Sequence, residues 1–227
     1  MIDVVGVSHV YDAPGRRTVL QDVTVRMTER RIGIIGANGS GKSTFARLLN
    51  GLVVPTYGTV SVNGLDTRAD GRAVRKQVGF CFTNPDAQIV MPTVREDVAF
   101  GLRRRGLTKE EIAVRVDSAL ARFDLADHAD HPAHLLSGGQ KQLLALASVL
   151  VTEPSILVLD EPTTLLDLRN AQRVGDHVAA LEQQVLLVTH HLDLLDGFDR
   201  VLVFDEARLV HDAPPDEAVE HYRKLMR

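Results

Sequence analysis

Cysteine, long apolar runs and excess positive charge are all scarce in this sequence, and each scarcity excludes a class of protein. The only cysteine among 227 residues is Cys81, so the chain has no internal disulfide framework and no paired thiols, which suits a reducing compartment. The longest apolar stretches, residues 143–151 and 156–159, are shorter than the roughly 20 residues that a membrane helix requires. A formal net charge of −4 argues against a nucleic-acid-binding protein that relies on a strongly basic surface.

The first residues of the sequence give no targeting signal. They read MIDVVGVSHVYD, which contains acids and lacks a cationic start followed by a long apolar run, so we expect no secretory signal. Neither a low-complexity linker nor a repeat with a period of about 20 to 50 residues is present. We therefore expect a cytoplasmic protein with one large domain.

The first part of the chain has the pattern of an antiparallel β unit, and a short buried strand lies between its segments in the sequence. Residues 31–35 form a short apolar segment that predicts a buried strand, and residues 43–50 predict a helix that Gly51 ends. Alternation of apolar and polar residues predicts the three strands of the antiparallel unit, residues 3–11, 19–27 and 59–65.

The later part of the chain alternates between strands and helices. A strand at residues 77–82 leads into a helical subdomain at residues 84–150, where Thr108 and Glu111 predict a capping box. This subdomain interrupts the core of a single domain spanning residues 1–227. Alternation then predicts an α/β fold with a mainly parallel sheet, from a strand at 156–159, a helix at 170–182 and strands at 185–189 and 200–204.

A glycine-rich loop, GANGSGKST at residues 36–44, connects the predicted buried strand to the predicted helix. Its glycines allow the backbone to wrap closely and aim N–H groups at phosphate oxygens, and the helix N-terminus adds positive potential. In such a loop Lys42 reaches the β- and γ-phosphates and Ser43 ligates Mg²⁺. An ordinary glycine-rich turn is the alternative, and the strand before and helix after favour phosphate binding. The candidate nucleotide-binding residues are Gly36, Asn38, Gly39, Ser40, Gly41, Lys42, Ser43 and Thr44.

Two further motifs carry chemistry. The segment ILVLDE at residues 156–161 is an apolar strand that ends in two carboxylates, of which Asp160 can hold Mg²⁺ and Glu161 can orient and deprotonate a water molecule. The segment LSGGQ at residues 136–140 opens a helix, so that Ser137 and the amides of Gly138 and Gly139 form a second anion site. A solvated acidic turn and a flexible capped turn are the respective alternatives.

The order of these motifs, followed by His190 at the end of the next strand, resembles the nucleotide-binding subunit of an ATP-binding-cassette (ABC) transporter over nearly all of the chain. The resemblance implies a P-loop NTPase core, ATP and Mg²⁺ as cofactors, and two subunits packed head to tail. In that arrangement the LSGGQ motif of one subunit, including Gln140, covers the ATP held by the other. It also implies three further roles: Tyr11 stacks on adenine, Asp167 of TLLD crosses the interface, and His190 contacts the γ-phosphate.

Position 83 departs from the family pattern. The family places a glutamine there that senses Mg²⁺ and couples to the membrane partner, whereas this chain has Thr83. The threonine hydroxyl can ligate or hydrogen-bond, but it is shorter by several bonds. Three alternatives remain open: the loop moves closer, a water bridges the gap, or Gln88 takes over.

Two segments, NPDAQ at residues 84–88 and TVREDVAFG at residues 93–101, are similar to ATPases of cobalt-type and energy-coupling-factor (ECF) importers. Together with Thr83 and the short stretch after His190, they most resemble the ATPase of the biotin importer. The resemblance implies a subunit on the cytoplasmic face of the cell membrane. Its partners would be a transmembrane coupling protein, a substrate-binding membrane protein and a second ATPase subunit, with no nucleic acid.

The remaining alternatives concern other clusters and another function class. A free-standing ABC-type ATPase that remodels a soluble or nucleic-acid complex is the alternative function, but the chain has no room for a long coiled-coil insertion and only one cassette. The histidines at positions 128, 131 and 134 suggest metal binding, which Pro132 and the lack of a nearby cysteine disfavour. Three consecutive arginines, Arg103, Arg104 and Arg105, predict a solvated face or a contact with a membrane partner or lipid headgroups.

Overall fold

The computed structural model describes residues 1–12, 15, 17–103 and 105–227. The chain forms two units, the first comprising Met1–Val78, Ile156–Asp160 and Gln183–Arg227, and the second Gly79–Ser155 and Glu161–Glu182. None of the helices in the described ranges combines the length and the apolar character that crossing a bilayer requires.

The first unit contains most of the strands. In chain order its elements are β1 (Ile2–Tyr11), β2 (Arg17–Met27), β3 (Arg31–Gly36), α1 (Lys42–Leu48), β4 (Tyr57–Val62), β5 (Leu65–Asp66), α2 (Gly71–Gln77), β7 (Ile156–Asp160), β8 (Gln184–Val188), β9 (Arg200–Asp205), β10 (Arg208–Ala213) and α7 (Pro215–Leu225), and the strand β6 (Val78–Cys81) leads from it into the second unit. A short 3-10 helix, Leu192–Leu195, follows β8.

An antiparallel sheet holds the strands β1, β2, β4 and β5 in the order β2-β1-β4-β5. Its formation follows from alternation along β1, where Ile2, Val4 and Val7 are buried and Val5 is exposed. The predicted antiparallel β unit is therefore confirmed.

The second sheet of this unit is mainly parallel, with the order β10-β9-β3-β8-β7. The strands β9, β3, β8 and β7 pair in parallel, and β10 pairs antiparallel to β9 at the edge. Every residue of β3 and β7 is buried, which explains why both read as continuous apolar segments rather than alternating ones. The predicted parallel α/β fold is confirmed, and the strand β10 and the helices α2 and α7 were not predicted.

The parallel sheet determines where the functional loops lie. The strands β7, β8 and β3 are neighbours and run in the same direction, so their carboxyl ends meet at one edge. The glycine-rich loop follows β3, Asp160 ends β7, and His190 lies two residues after β8. This edge is the usual ligand-binding position in open α/β sheets.

The second unit is helical, with α3 (Val94–Phe100), α4 (Lys109–Arg122), α5 (Gly138–Leu150) and α6 (Leu168–Ala179). Three of these helices begin with a complete capping box, and the one at Thr108 and Glu111 confirms the prediction. A buried carboxylate, Asp97 of α3, accepts hydrogen bonds from the backbone N–H groups of Val90 and Met91 and from the Ser148 hydroxyl. This carboxylate ties the preceding loop and α5 to α3.

Candidate nucleotide-binding site

The glycine-rich loop of the first unit has a shape that side chains at its glycines would prevent. Gly36 has a φ of 150°, and a Cβ there would lie 2.0 Å from the carbonyl oxygen of Phe204. Gly41, at the start of α1, has a φ of 102°, and its Cβ would lie 2.3 Å from the carbonyl oxygen of Val19. Both positions need glycine for backbone conformation and for space.

The ammonium group of Lys42 is buried inside this loop. Its Nζ donates to the carbonyl oxygens of Gly36 and Ala37, each at 2.8 Å. The Ser40 hydroxyl is also buried, and within the described residues it has no hydrogen-bond partner. A cation and a free hydroxyl in a loop of this shape fit the oxygen atoms of a phosphate chain.

Ser43 and Asp160 form a pair of oxygen ligands that suits Mg²⁺. The Ser43 hydroxyl donates to Oδ1 of Asp160 at 2.8 Å, although the two residues are 117 positions apart. The other carboxylate oxygen, Oδ2, lies 3.5 Å from Nη2 of Arg47, and the Asp160 side chain is 1% exposed. Two oxygen atoms held together beside a phosphate-binding loop fit the preference of Mg²⁺ for hard oxygen ligands.

Tyr11, the predicted adenine-stacking residue, lies against the helix α1. The Tyr11 hydroxyl is 3.5 Å from Oγ1 of Thr44, and the tyrosine is 38% exposed, so one part of the ring is available to a ligand. The ring of His9 packs against the tyrosine ring in a T-shaped arrangement, with the centroids 4.7 Å apart. Burial lowers the pKa of His9, so this supporting ring is neutral at neutral pH.

His190, which the resemblance predicts to contact the γ-phosphate, is exposed just after β8. Its ring contacts that of His191 edge-on, with centroids 4.3 Å apart. The backbone N–H of His191 donates to the Thr189 hydroxyl at 3.0 Å, which fixes the turn that carries both histidines. Asn38 and Gly39 are exposed in the glycine-rich loop.

In the second unit, the LSGGQ segment, called here the signature loop (residues 136–140), begins α5. The Ser137 hydroxyl accepts from the backbone N–H of Gln140 at 3.3 Å, and Oε1 of Gln140 accepts from the backbone N–H of Ser137 at 2.9 Å. The side of the loop that contains Ser137 and Gly138 is exposed. A Cβ on Gly139 would lie 2.5 Å from the side chain of Asn170, so this glycine is required by close packing.

Asn170 also connects the signature loop to Asp167. Asp167 is the N-cap of α6, where Oδ1 accepts from the backbone N–H of Asn170 at 2.8 Å and Oδ2 accepts from its Nδ2 at 3.0 Å. The same asparagine packs on Gly139. The structure therefore brings together, within one unit, the two segments that the resemblance assigns to the subunit interface.

Glu161, the predicted general base, follows Asp160 directly in the chain. It has a φ of 51°, which is unusual for a residue other than glycine. The hydroxyl of Thr164 donates to Oε2 of Glu161 at 2.8 Å and orients the carboxylate. An unusual backbone conformation at this position is consistent with a functional constraint.

Gln88, one of the three alternatives for the glutamine missing at position 83, binds the backbone next to Thr83. Oε1 of Gln88 accepts from the backbone N–H of Phe82 at 3.1 Å, and its Nε2 donates to the carbonyl oxygen of Ala145 at 3.3 Å. Both atoms of the Gln88 amide are thus engaged with the backbone. Burial raises the pKa of the adjacent Cys81 to about 12, so this thiol stays protonated at neutral pH.

Two clusters remain, the histidines at positions 128, 131 and 134 and the arginines at positions 103–105. His128 Nδ1 is 2.9 Å from His131 Nδ1, and no group of three or more metal-ligating side chains suited to a metal ion occurs among the described residues. Arg103 lies over the Phe100 ring, and Arg105 donates to the carbonyl oxygen of Thr152. Arg104 lies outside the described residues.

The contacts of two residues, Arg47 and His128, were not predicted from the sequence. Arg47 contacts Asp160, and its position four residues after Ser43 on α1 was the available signal, because both residues share a helix face. His128 contacts Gln140 of the signature loop, and no spacing rule indicates that contact.

Comparison with known proteins identifies the family. The family profile described as "ABC transporter" matches residues 20–164. Among curated relatives, the biotin transport ATP-binding protein BioM of Rhizobium etli is 53% identical over 211 residues, covering 93% of this chain and 94% of that protein. The ECF transporter ATP-binding protein EcfA1 of Bacillus subtilis is 39% identical over 233 residues, covering 100% of this chain and 83% of that protein.

Two solved structures support the same assignment. The chain cbiO1 of Clostridium perfringens, part of the ABC transporter complex cbiONQ, superposes with a TM-score of 0.84 at 31% identity and covers 100% of this chain and 92% of its own. A dimeric post-hydrolysis state of the ATP-binding cassette MJ0796, bound to ADP and Pi, also superposes with a TM-score of 0.84. The sequence identity is 25%, and the match covers 95% of this chain and 99% of that chain.

The chain therefore belongs to the ABC transporter family. Its fold is the P-loop NTPase fold of ABC cassettes, as the sequence predicted. Its activity is that of the family's ATP-binding subunits, ATP hydrolysis coupled to transport.

Proposed function

We propose that this chain is the ATP-hydrolysing subunit of an ECF-type importer for biotin. It would act on the cytoplasmic face of the cell membrane with a transmembrane coupling protein and a substrate-binding membrane protein. The observation that supports the hydrolytic part most strongly is the hydrogen bond between Ser43 and Asp160 beside the buried ammonium of Lys42. The 53% identity to a biotin transport ATP-binding protein, over almost the full length of both chains, supports the substrate.

The roles of the residues in the glycine-rich loop (residues 36–44), called the phosphate loop from here on, follow from their chemistry. The Lys42 ammonium exchanges the carbonyl oxygens of its own loop for phosphate oxygens, which are stronger acceptors because they are charged. Ser43 and Asp160 would hold Mg²⁺, which would supply positive charge to offset the charge of the phosphates. Tyr11 stacks on the adenine ring, and the glycine-loop amides bind the phosphates.

Glu161 acts as the general base. Its carboxylate, oriented by Thr164, accepts a proton from the attacking water, and His190 contacts the γ-phosphate from the end of β8. Replacing Glu161 with glutamine keeps the size and the hydrogen bond but removes the basic group. We expect ATP binding to persist and hydrolysis to fall by about 10²- to 10⁴-fold, with an ATP-bound dimer accumulating on size-exclusion chromatography. Wild-type turnover in Glu161→Gln would eliminate this assignment.

A complete site requires two subunits. The signature loop presents Ser137 and Gly138 to solvent, where they can cover a nucleotide bound by a second copy of the chain. Asp167 lies in the same unit and would contact that second copy. The dimeric cassette MJ0796 with ADP and Pi supports this arrangement. We propose a homodimer in which each site combines Lys42 of one chain with Ser137 of the other.

Mixing two inactive variants tests the shared site. Lys42→Ala removes the phosphate contact, and Ser137→Arg places a bulky cation in the signature loop, so each variant alone should be nearly inactive. Their heterodimer has one intact composite site, and the mixture should regain hydrolysis. Leu135→Arg, at an exposed position just before the signature loop, is the matched control and should stay active. If heterodimers form by native mass spectrometry and hydrolysis does not return, the head-to-tail model is wrong.

The transported substrate needs a separate experiment. The tagged chain is purified in detergent from its host, its membrane partners are identified, and the complex is reconstituted into liposomes. Uptake of radiolabelled biotin that depends on ATP and stops in Glu161→Gln supports the proposal. Uptake of another vitamin or of Co²⁺ in place of biotin would keep the importer class and reject the substrate.

A further inference from the structure

We propose that His128 is a positioning residue for the signature loop, because its unprotonated Nε2 fixes the Gln140 amide and, through that amide, the backbone of Ser137. His128 ends a short 3-10 helix, Ala126–His128, nine residues before Ser137. Its Nε2 lies 2.8 Å from Nε2 of Gln140. This inference rests on the proposed function, in which the signature loop covers ATP bound by the other subunit.

The orientation of the Gln140 amide follows from its second contact. Its Oε1 is 2.9 Å from the backbone nitrogen of Ser137. A backbone N–H can only donate, so the amide oxygen must face Ser137 and the amide NH₂ must face His128. The NH₂ group can only donate, and His128 Nε2 must therefore carry a lone pair rather than a proton.

The second ring nitrogen of His128 extends the same chain of donors and acceptors. With Nε2 as acceptor, the neutral ring carries its proton on Nδ1, which lies 2.9 Å from Nδ1 of His131. His131 then accepts at Nδ1. Each group in the series from Gln140 through His128 to His131 thus donates to the next, and an additional proton on either ring would place two donors face to face.

Protonation of the His128 ring would act on the signature loop. To accept the new N–H, the Gln140 amide would have to turn, and its NH₂ would then face the backbone N–H of Ser137. The reciprocal half of the capping box would be lost, while the bond from the Gln140 N–H to the Ser137 hydroxyl would remain. Ser137 would lose the bond from its backbone N–H, while its hydroxyl and its carbonyl oxygen would still accept from the backbone N–H groups of Gln140 and Lys141.

Charged residues lie next to this histidine pair in the chain. Asp127 precedes His128 on its own turn, and Asp130 lies between the two histidines in the chain. From α3, Arg95 pairs with Asp130 at 3.6 Å and with Asp117 of α4. His134 is exposed further along the segment. Within the described residues, the hydrogen-bond partners of the His128 ring are Gln140 and His131, so these two contacts determine the effect of the added proton.

A pair of substitutions separates the acceptor role from a role in packing. His128→Gln places an amide oxygen the same number of bonds from Cα as Nε2, and this acceptor does not titrate. His128→Leu keeps bulk but offers no acceptor. His134→Leu changes an exposed histidine of the same segment for which no hydrogen bond occurs among the described residues, and it serves as the control.

The readouts are the steady-state rate of ATP hydrolysis by the full chain and the affinity of the monomer for a fluorescent ATP analogue. We expect His128→Leu to lower kcat about three- to tenfold, the effect of one lost hydrogen bond. Nucleotide affinity should not change, because the phosphate loop is intact. His128→Gln should restore the rate.

Each contrary result overturns the proposal. A His128→Leu rate equal to wild type rejects any role, and equal losses in His128→Leu and His128→Gln reject the acceptor role. In a Gln140→Leu background, His128→Leu should cause no further loss, and an additive loss would show that His128 does not act through Gln140. Full activity of Ser137→Arg would instead reject the proposed role of the signature loop, so the two failures are distinguishable.

Discussion

Replacing Asp160 with asparagine tests the proposed magnesium site separately from the proposed nucleotide site. The side chain is 1% exposed, accepts from Ser43 at 2.8 Å through Oδ1, and lies 3.5 Å from Arg47 through Oδ2. Asparagine keeps the shape and the acceptor oxygen for Ser43, removes the negative charge, and places an amide NH₂ where Oδ2 faces Arg47. Arg47 is 41% exposed and stays solvated, so the lost ion pair should reduce the free energy of unfolding by about 1 kcal/mol. For a chain of this length that lowers Tm by about 2 to 4 °C.

The expected effect on Mg²⁺ is much larger than the effect on stability. The double charge of Mg²⁺ and a unit negative charge about 4 Å apart interact by about 8 kcal/mol at an effective dielectric constant near 20. Half of that interaction already corresponds to roughly 10³ in affinity. Allowing for screening, we expect the Mg²⁺ concentration for half-maximal hydrolysis to rise by at least about 10²-fold. Binding of ATP in EDTA should change less than about twofold, because Lys42 and the loop amides dominate it.

The assay is a Mg²⁺ titration of hydrolysis at fixed ATP, with binding of a fluorescent ATP analogue measured in EDTA. Asp193→Asn, an exposed carboxylate on the 3-10 helix after β8, is the matched control and should behave as wild type. An unchanged Mg²⁺ requirement in a folded Asp160→Asn protein would refute the assignment of the metal site. A parallel loss of ATP affinity in EDTA would show that Asp160 shapes the phosphate loop rather than holding the ion.

Four further predictions concern other parts of the site. Gly36→Ala should lower the free energy of unfolding by about 3 kcal/mol or more, because its Cβ would lie 2.0 Å from the Phe204 carbonyl oxygen, and an unchanged Tm would contradict this. Tyr11→Ala should weaken binding of a fluorescent ATP analogue about five- to a hundredfold, and unchanged affinity would remove its stacking role. Thr83→Gln should leave nucleotide affinity nearly unchanged and shift the ratio of ATP hydrolysed to substrate transported. Gln88→Ala should lower Tm without rescue by Thr83→Gln, because the Gln88 amide binds backbone groups, and rescue would show instead that Gln88 substitutes for the missing glutamine.

Elements whose signals are local were predictable from the sequence. The buried strand, glycine loop and helix around Lys42 combine an apolar run, glycines and a helix end, and the structure has them within two residues of the predicted bounds. The hairpin from β9 to β10 was missed because its turn uses Glu206 and Ala207, both with positive φ, instead of the usual asparagine and glycine. The strand β10 also has only one fully buried residue, so its pattern was weak.

Motif order predicts phosphate binding by Lys42 and metal binding by Asp160, because glycine-loop lysines and strand-end acids suit those two kinds of ligand. Contacts that join distant segments depend on tertiary packing, and no periodicity reports them. Arg47 beside Asp160 and His128 beside Gln140 are of this kind.

The bonds from Lys42 to the Gly36 and Ala37 carbonyl oxygens make the phosphate loop a template whose form is set during folding. Ordering a residue costs about 1 to 2 kcal/mol of conformational entropy, and here that cost falls on folding rather than on nucleotide capture. The loop can therefore release and rebind nucleotide in every transport cycle without refolding. It also follows that Lys42→Ala removes two internal hydrogen bonds of the loop as well as the proposed phosphate contact. A milder change, Lys42→Arg, would keep the charge and test how far the template depends on the length of that side chain.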